Sequence, residues 1–300
     1  MVRFLLVWIM GVLVLASCKR SPEAAAPVSQ TAAPTTNQRV FQVKGVVKAI
    51  KPAEKEIDIK HEAIPDYMPS MTMPFDVKDT NELAGLVPEQ PISFRLTVTD
   101  TEGWVDRIKA LGPPARTSSN SSPAQPIHMV QPLQTGEPLP DYRLTNQLGQ
   151  VINTAQFKGH ALAITFLFTR CPFPTFCPRL ANDFADTQQK MLALQNGPTN
   201  WHLLTISFDP DFDRPEVLKS YGEAHNYDPV HWTFATGALA DVSSLGDLFG
   251  LVFWRDSTGS ISHNMRIAVI DASGRFQKLF EGKDWTSNDL VAEMVKAARP

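Results

Sequence analysis

Between residues 40 and 111 the apolar positions recur at every second residue, in short runs bounded by turn residues. Glu56-Ile57-Asp58-Ile59-Lys60-His61 alternates cleanly, and Ile92-Ser93-Phe94-Arg95-Leu96-Thr97-Val98-Thr99 does so again. Val40 to Ile50 is β-branched and partly alternating, with Gly45 a candidate bulge, and Trp104 to Ile108 is a last strand. Four or five short strands in about seventy residues predict a small all-β barrel, closed or nearly so.

From residue 139 onward both periods appear. Ala161 to Phe168 is a continuous apolar run suited to a central strand buried on both faces. A helix is predicted from Pro178 to about Leu194, a second buried strand from Trp201 to Phe208, and a helix from Pro215 to about His225. Met265 to Ile270 is a third strand and Leu290 to Ala298 a closing helix. Strands alternating with helices predict an α/β sandwich.

Two stretches lack either period. Residues 18–39 are rich in Ser, Pro, Ala and Thr, and residues 112–138 carry Pro113, Pro114, Pro123, Pro126, Pro132 and Pro138. Neither can bury enough surface to fold alone, so both read as tethers. They delimit a small domain at 40–111 and a larger one at 139–300.

Residues 1–17 read as a leader. Arg3 precedes an apolar run from Phe4 to Leu15, too short to span a bilayer. It ends in Leu15-Ala16-Ser17-Cys18, which resembles a bacterial lipobox. That likeness implies cleavage before Cys18, a diacylglycerol on its sulfur, and a lipid-anchored protein of the cell envelope facing the periplasm. Lys19 next to the anchor points to the outer membrane. The 28 basic and 31 acidic residues leave a net charge of −3, so no basic stripe speaks for a nucleic-acid partner.

The segment from His61 to Phe75 concentrates unusual chemistry. Met68, Met71 and Met73 are three of nine methionines, and Met71 and Met73, two apart, project from one face of an extended strand. Met68 and His61 can converge on that face. Thioether and imidazole donors suit Cu(I); methionines filling a small core are the alternative. With its Met-Thr-Met core, the segment resembles the periplasmic copper-binding domain of the Cus efflux family, a five-stranded barrel. The resemblance makes His61, Met71 and Met73 metal ligands and puts Met68 where that family has a tryptophan, which would add a third thioether.

Of the three cysteines, the lipobox takes Cys18, leaving Cys171 and Cys177. In an exported protein such a pair is a disulfide, a redox couple or a soft-metal site. Cys177 precedes Pro178 at a helix start, where the helix dipole favours a thiolate. The chain from 139 onward resembles the Sco/SenC family of thioredoxin-like copper proteins that help mature cytochrome c oxidase. Leu139 to Asn146 matches the family's first strand, Phe168 to Pro178 its metal loop, and Ser207 to Leu218 its aspartate-rich turn. The resemblance implies a thioredoxin-like fold and makes Cys171, Cys177 and His263 ligands for Cu(I) or Cu(II). It also implies that Cys171 and Cys177 form a redox-active disulfide and that Asp209 stands just behind the ligands. This loop has five residues between its cysteines where the family usually has three. His128, His160, His202, His225 and His231 read as structural or solvated, and Asp211 and Asp213 as turn and capping residues.

Two functions follow. One is a metallochaperone that delivers copper to a cuproprotein such as a cytochrome c oxidase subunit, its two sites brought together by the tether at high effective concentration. The other is a thiol–disulfide reductase acting on the cysteines of a metalloprotein. Thioredoxin-type reductases normally place a cis-proline beside their cysteines, but no proline occurs between Pro229 and Pro300, where His263 stands. That favours metal binding.

Overall fold

A computed structural model of the chain describes residues 38–114, 130–255 and 261–299. The leader, Cys18 and His128 lie outside the described residues, as does most of each tether.

Strands β1 (Arg39–Lys51), β2 (Glu56–His61), β3 (Met71–Val77), β4 (Pro91–Val98) and β5 (Gly103–Ala110) close into a barrel in the order β1-β2-β3-β5-β4. Alternation decides which side chains enter it: Ile57 and Ile59 of β2, Met71, Met73 and Phe75 of β3, and Ile92, Phe94 and Leu96 of β4 are all buried. The register shift of β1 falls between Val47 and Ala49, so Gly45 is not the bulge. Gly45 is required for close approach instead, because a Cβ there would lie 2.5 Å from Ile59 Cγ2 and 2.8 Å from the Lys60 carbonyl oxygen. One seam is nearly open. Among the described residues, strand β3 pairs with β5 only through Asp76 and Val77, so from Met71 to Phe75 its edge is not laddered to β5 and β12 approaches it instead.

The larger domain is built on a sheet of seven strands. In chain order these are β6 (Arg143–Asn146), β7 (Val151–Asn153), β8 (Ala161–Leu167), β9 (Trp201–Ser207) and β10 (Trp232–Thr236), and, beyond a hairpin of β11 (Phe253–Arg255) and β12 (Ile261–His263), β13 (Arg266–Ile270) and β14 (Phe276–Glu281). The spatial order is β14-β13-β8-β9-β10-β6-β7, with β8, β9 and β10 parallel. Every residue of β8 and β9 is buried, as a central parallel pair requires. Helices α1 (Cys177–Ala193), α2 (Pro215–Ala224), α3 (Leu239–Asp247) and α4 (Ser287–Ala297) complete a thioredoxin-like fold. Residues 130–139 already run along this domain, the Leu133 amide donating to Leu248 and the Leu139 amide to Gly274.

The barrel and the α/β domain pack together in one compact unit, residues 36–300. Lys283 ends the β14 turn and reaches Glu56 and Asp76 of the barrel, each at 2.9 Å. The Tyr67 hydroxyl donates to the Pro172 carbonyl at 3.2 Å, and the Ser262 hydroxyl to the Thr72 carbonyl at 2.6 Å. Phe173 enters the open seam between β3 and β5. Its ring stands edge-on to Phe75 at 5.6 Å, and a Cβ on Gly103 would lie 2.7 Å from it.

Candidate functional site

In the barrel, antiparallel pairing sets His61 opposite Met71 and Ile59 opposite Met73. Directly opposed residues project to the same side, so the imidazole and both thioethers share the inner face. The His61 Nδ1–H donates to the Glu62 carbonyl at 2.7 Å, which leaves Nε2 as the ring's lone-pair atom. Among the described residues, that Nε2 is buried without a hydrogen-bond partner. Burial holds the His61 pKa below the ordinary imidazole value, so the ring stays neutral. A buried, neutral, unpartnered nitrogen beside two thioethers is the state a soft metal ligand needs. Met68 is buried in the turn before β3, its backbone paired with Ile64.

In the α/β domain, the loop after β8 carries Cys171, the first residue of α1 is Cys177, and β12 ends in His263. One donor atom from each lies within 4.8 Å of the others. The His263 ring repeats the arrangement in the barrel: Nδ1–H donates to the Asn264 carbonyl at 2.7 Å, and Nε2 faces the Cys177 sulfur at 3.2 Å. No disulfide joins Cys171 and Cys177 in this structure. Helix position does not decide which sulfur ionises. Complete burial pushes the Cys177 thiol well up, while the hydrogen bond from Cys177, with help from His263, pulls the Cys171 thiol well down. Burial thus works against a Cys177 thiolate at the helix start, while the groups around Cys171 favour its ionised form.

Two aspartates hold this arrangement together. Asp209 is fully buried and accepts from Arg170 Nε at 2.8 Å and from Arg255 at 2.5 Å. Arg170 adjoins Cys171, and Arg255 lies on β11, the hairpin partner of the strand bearing His263. Asp209 thus links the cysteine loop to the histidine hairpin. Asp213 is not a helix cap: it is fully buried and accepts from the Thr169 amide and hydroxyl and from Ser207. The aspartate-rich turn was visible in the sequence, but the direction of its side chains was not. Arg170, Arg255, Phe173 and Lys283 carried no signal of their own, since each acts through a contact distant in the chain.

Members of both donor sets line one small, partly open cavity, to whose wall His61 and Cys177 do not contribute. Its volume is about 50 Å³, and Met71, Met73, Cys171 and His263 line it together with Phe168, Phe173, Phe176 and Trp254. That is room for an ion and little water. Thiolate, thioether and imidazole donors in an apolar shell fit copper, above all Cu(I), and suit Mg²⁺ or Ca²⁺ poorly.

Fold and donors together define a two-domain copper protein, a thioredoxin-like domain with a Cys-Cys-His cluster docked on a barrel with a His-Met-Met face. The chain belongs to the SCO1/SenC family, whose sequence model matches residues 131–299. The barrel matches the family described as copper binding periplasmic protein CusF over residues 40–110. A SCO1 protein homolog of Bacillus subtilis is 24% identical over 160 residues, covering 52% of this chain and 80% of the relative. A SCO2-like protein of Rickettsia typhi is 29% identical over 147 residues, covering 46% of this chain and 68% of the relative. Among solved structures, a SCO1/SenC family lipoprotein from Bacillus anthracis is similar at 28% identity and a TM-score of 0.48, over 55% of this chain and 96% of that one. Bradyrhizobium japonicum ScoI with copper bound is similar at 22% identity and a TM-score of 0.44, over 55% and 99%.

Proposed function

We propose that this chain is a copper metallochaperone of the cell envelope. Cys171, Cys177 and His263 hold copper in the α/β domain, and His61, Met71 and Met73, with Met68 as a further thioether, hold Cu(I) in the barrel. The observation that carries this reading is the convergence of two sulfurs and His263 Nε2 within 4.8 Å. Membership of the SCO1/SenC family supports a cuproprotein such as a cytochrome c oxidase subunit as the recipient. Copper is the cargo here. The chain supplies two thiols, which release their protons to solvent as the metal binds, and an imidazole already oriented by Asn264.

The reductase reading rests on the same pair of sulfurs, since a lowered Cys171 thiol beside a protonated Cys177 is also the start of disulfide exchange. His263→Ala separates the two. A reductase keeps its thiols and its disulfide chemistry, whereas the copper site loses a ligand. The Cu(II)-loaded parent should show a sulfur-to-copper charge-transfer band that His263→Ala loses or shifts, with weakened affinity. An unchanged band and affinity would remove His263 from the ligands and put the reductase first.

The lipobox-like Leu15-Ala16-Ser17-Cys18 supports a lipid anchor facing the periplasm, and Lys19 after it supports the outer membrane. Cys18→Ala should move the protein from the membrane to the soluble fraction. Retention in the membrane would sink the lipid anchor.

A further inference from the structure

We infer that copper passes between the two donor sets inside the folded chain, through the cavity at the domain junction, without entering solvent. This rests on the reading of both sets as copper sites, and it assigns a task to the docked arrangement itself.

Three features of the junction carry the inference. First, Met71 and Met73 of the barrel and Cys171 and His263 of the α/β domain line the same cavity of about 50 Å³. A bare ion in an apolar cavity costs several kcal/mol or more, so an ion can cross only where the next donor engages before the last one leaves. Two donors from each domain share the wall of this one cavity, which is the placement such a hand-over needs. Second, the domains are keyed in register. The Ser262 hydroxyl donates to the carbonyl of Thr72 at 2.6 Å. Ser262 adjoins His263, and Thr72 lies between Met71 and Met73, so this one contact sets the histidine beside the methionine pair. It is possible because β5 has left the edge of β3 at that level. Third, the junction is fastened at two further points. Lys283, with 13% of its side chain exposed, bridges Glu56 and Asp76, while the buried Phe173 fills the seam.

The exchange balances without an oxidant or reductant. Copper remains Cu(I) throughout. Its bonds to the Met68, Met71 and Met73 sulfurs and to His61 Nε2 break as bonds to the Cys171 and Cys177 sulfurs and to His263 Nε2 form. The thiol protons leave to solvent. Anionic thiolates are stronger donors than neutral thioethers, which sets the direction from barrel to α/β domain.

The test uses the full chain and a Lys283→Glu variant, in which the new carboxylate would face Glu56 and Asp76 with like charge. Each chain is oxidised to the Cys171–Cys177 disulfide, loaded with one equivalent of Cu(I) on the barrel, and then reduced with a phosphine. A water-soluble Cu(I) chelator is present at a concentration that the oxidised, loaded chain withstands. The readout is the thiolate-to-Cu(I) absorption that appears as copper arrives. In the parent it should grow at a rate unchanged by tenfold dilution and by the chelator. In Lys283→Glu at least a tenfold loss of rate is expected, with the chelator taking most of the copper. Equal behaviour of the two chains, whether both shielded or both intercepted, overturns the passage while leaving both sites standing. Failure of either site to hold copper at equilibrium overturns the site assignment and the passage with it.

Discussion

Phe173→Ala should release the barrel from the α/β domain without unfolding either. Phe173 belongs to the cysteine loop, yet it is only 1% exposed because barrel residues surround it: Phe75 at 5.6 Å and the bare backbone of Gly103. Truncating a buried phenylalanine costs about 3–5 kcal/mol. Here most of that loss falls on docking, since the ring bridges two cores rather than filling one. At about 1.4 kcal/mol per decade, the undocked population rises roughly 10²- to 10⁴-fold. The ties that remain are the Lys283 bridges and the Tyr67 and Ser262 hydrogen bonds, each worth only about 0.5–1.5 kcal/mol net and not strictly additive. Two measurements read the outcome. Small-angle scattering should show a larger radius of gyration, and a bulky maleimide should reach the fully buried Cys177 faster, with circular dichroism confirming that both domains stay folded. A folded variant with the scattering profile of the parent, and labelling within a factor of about three of it, would refute the plug.

Two further outcomes follow from the buried polar groups. Asp209→Asn leaves the sulfurs and the imidazole in place but weakens the link between Arg170 and Arg255, so copper affinity of the α/β domain should fall about 10- to 100-fold in a chelator competition; unchanged affinity would mean the carboxylate only stabilises the fold. His202 has its pKa pushed down to about 4, first by burial and then by His231 and His160, so the folded state keeps it neutral while the unfolded chain takes up a proton below about 6.5. Its contribution is therefore fully present above pH 6.5 and lost as pH falls towards 4, by about 3 kcal/mol at ~1.36 kcal/mol per pH unit. Denaturant midpoints at pH 7.5 and 4.5 should converge in His202→Gln relative to the parent, and an equal acid loss in both chains would clear His202.

How much of this was legible depends on whether a residue's neighbours lie along the chain or across it. Strands β2 and β4 and helix α1 follow from local periodicity, because burial of one face imposes that period on the sequence. The ligand candidates stood out because a Met-Thr-Met run and a cysteine pair before a helix are chemically rare. Strands β11 and β12 are three residues each and exist only as partners of one another, so no period could announce them. That hairpin nevertheless carries His263 and Arg255. The opposite pulls on the Cys171 and Cys177 thiols were equally out of reach, since they turn on burial and on contacts across the loop rather than on place in the helix.

The docking gives a physical reason for the length of the cysteine loop. Between Cys171 and Cys177 lie Pro172, Phe173, Pro174, Thr175 and Phe176, and the loop faces two ways. The carbonyl of Pro172 takes the Tyr67 hydroxyl, Phe173 fills the barrel seam, and Phe176 lies under the Lys283 ammonium at 5.1 Å. Prolines on either side of Phe173 restrict the loop before docking, which lowers the entropy lost when the ring is seated. A three-residue loop would have to close the same two sulfurs on one ion with nothing left over to reach a second domain. The extra length therefore belongs to the barrel as much as to the metal. Shortening it to three residues should leave Cys171, Cys177 and His263 able to meet while depriving the barrel of its plug, so loop length, rather than donor identity, is what docks the two domains.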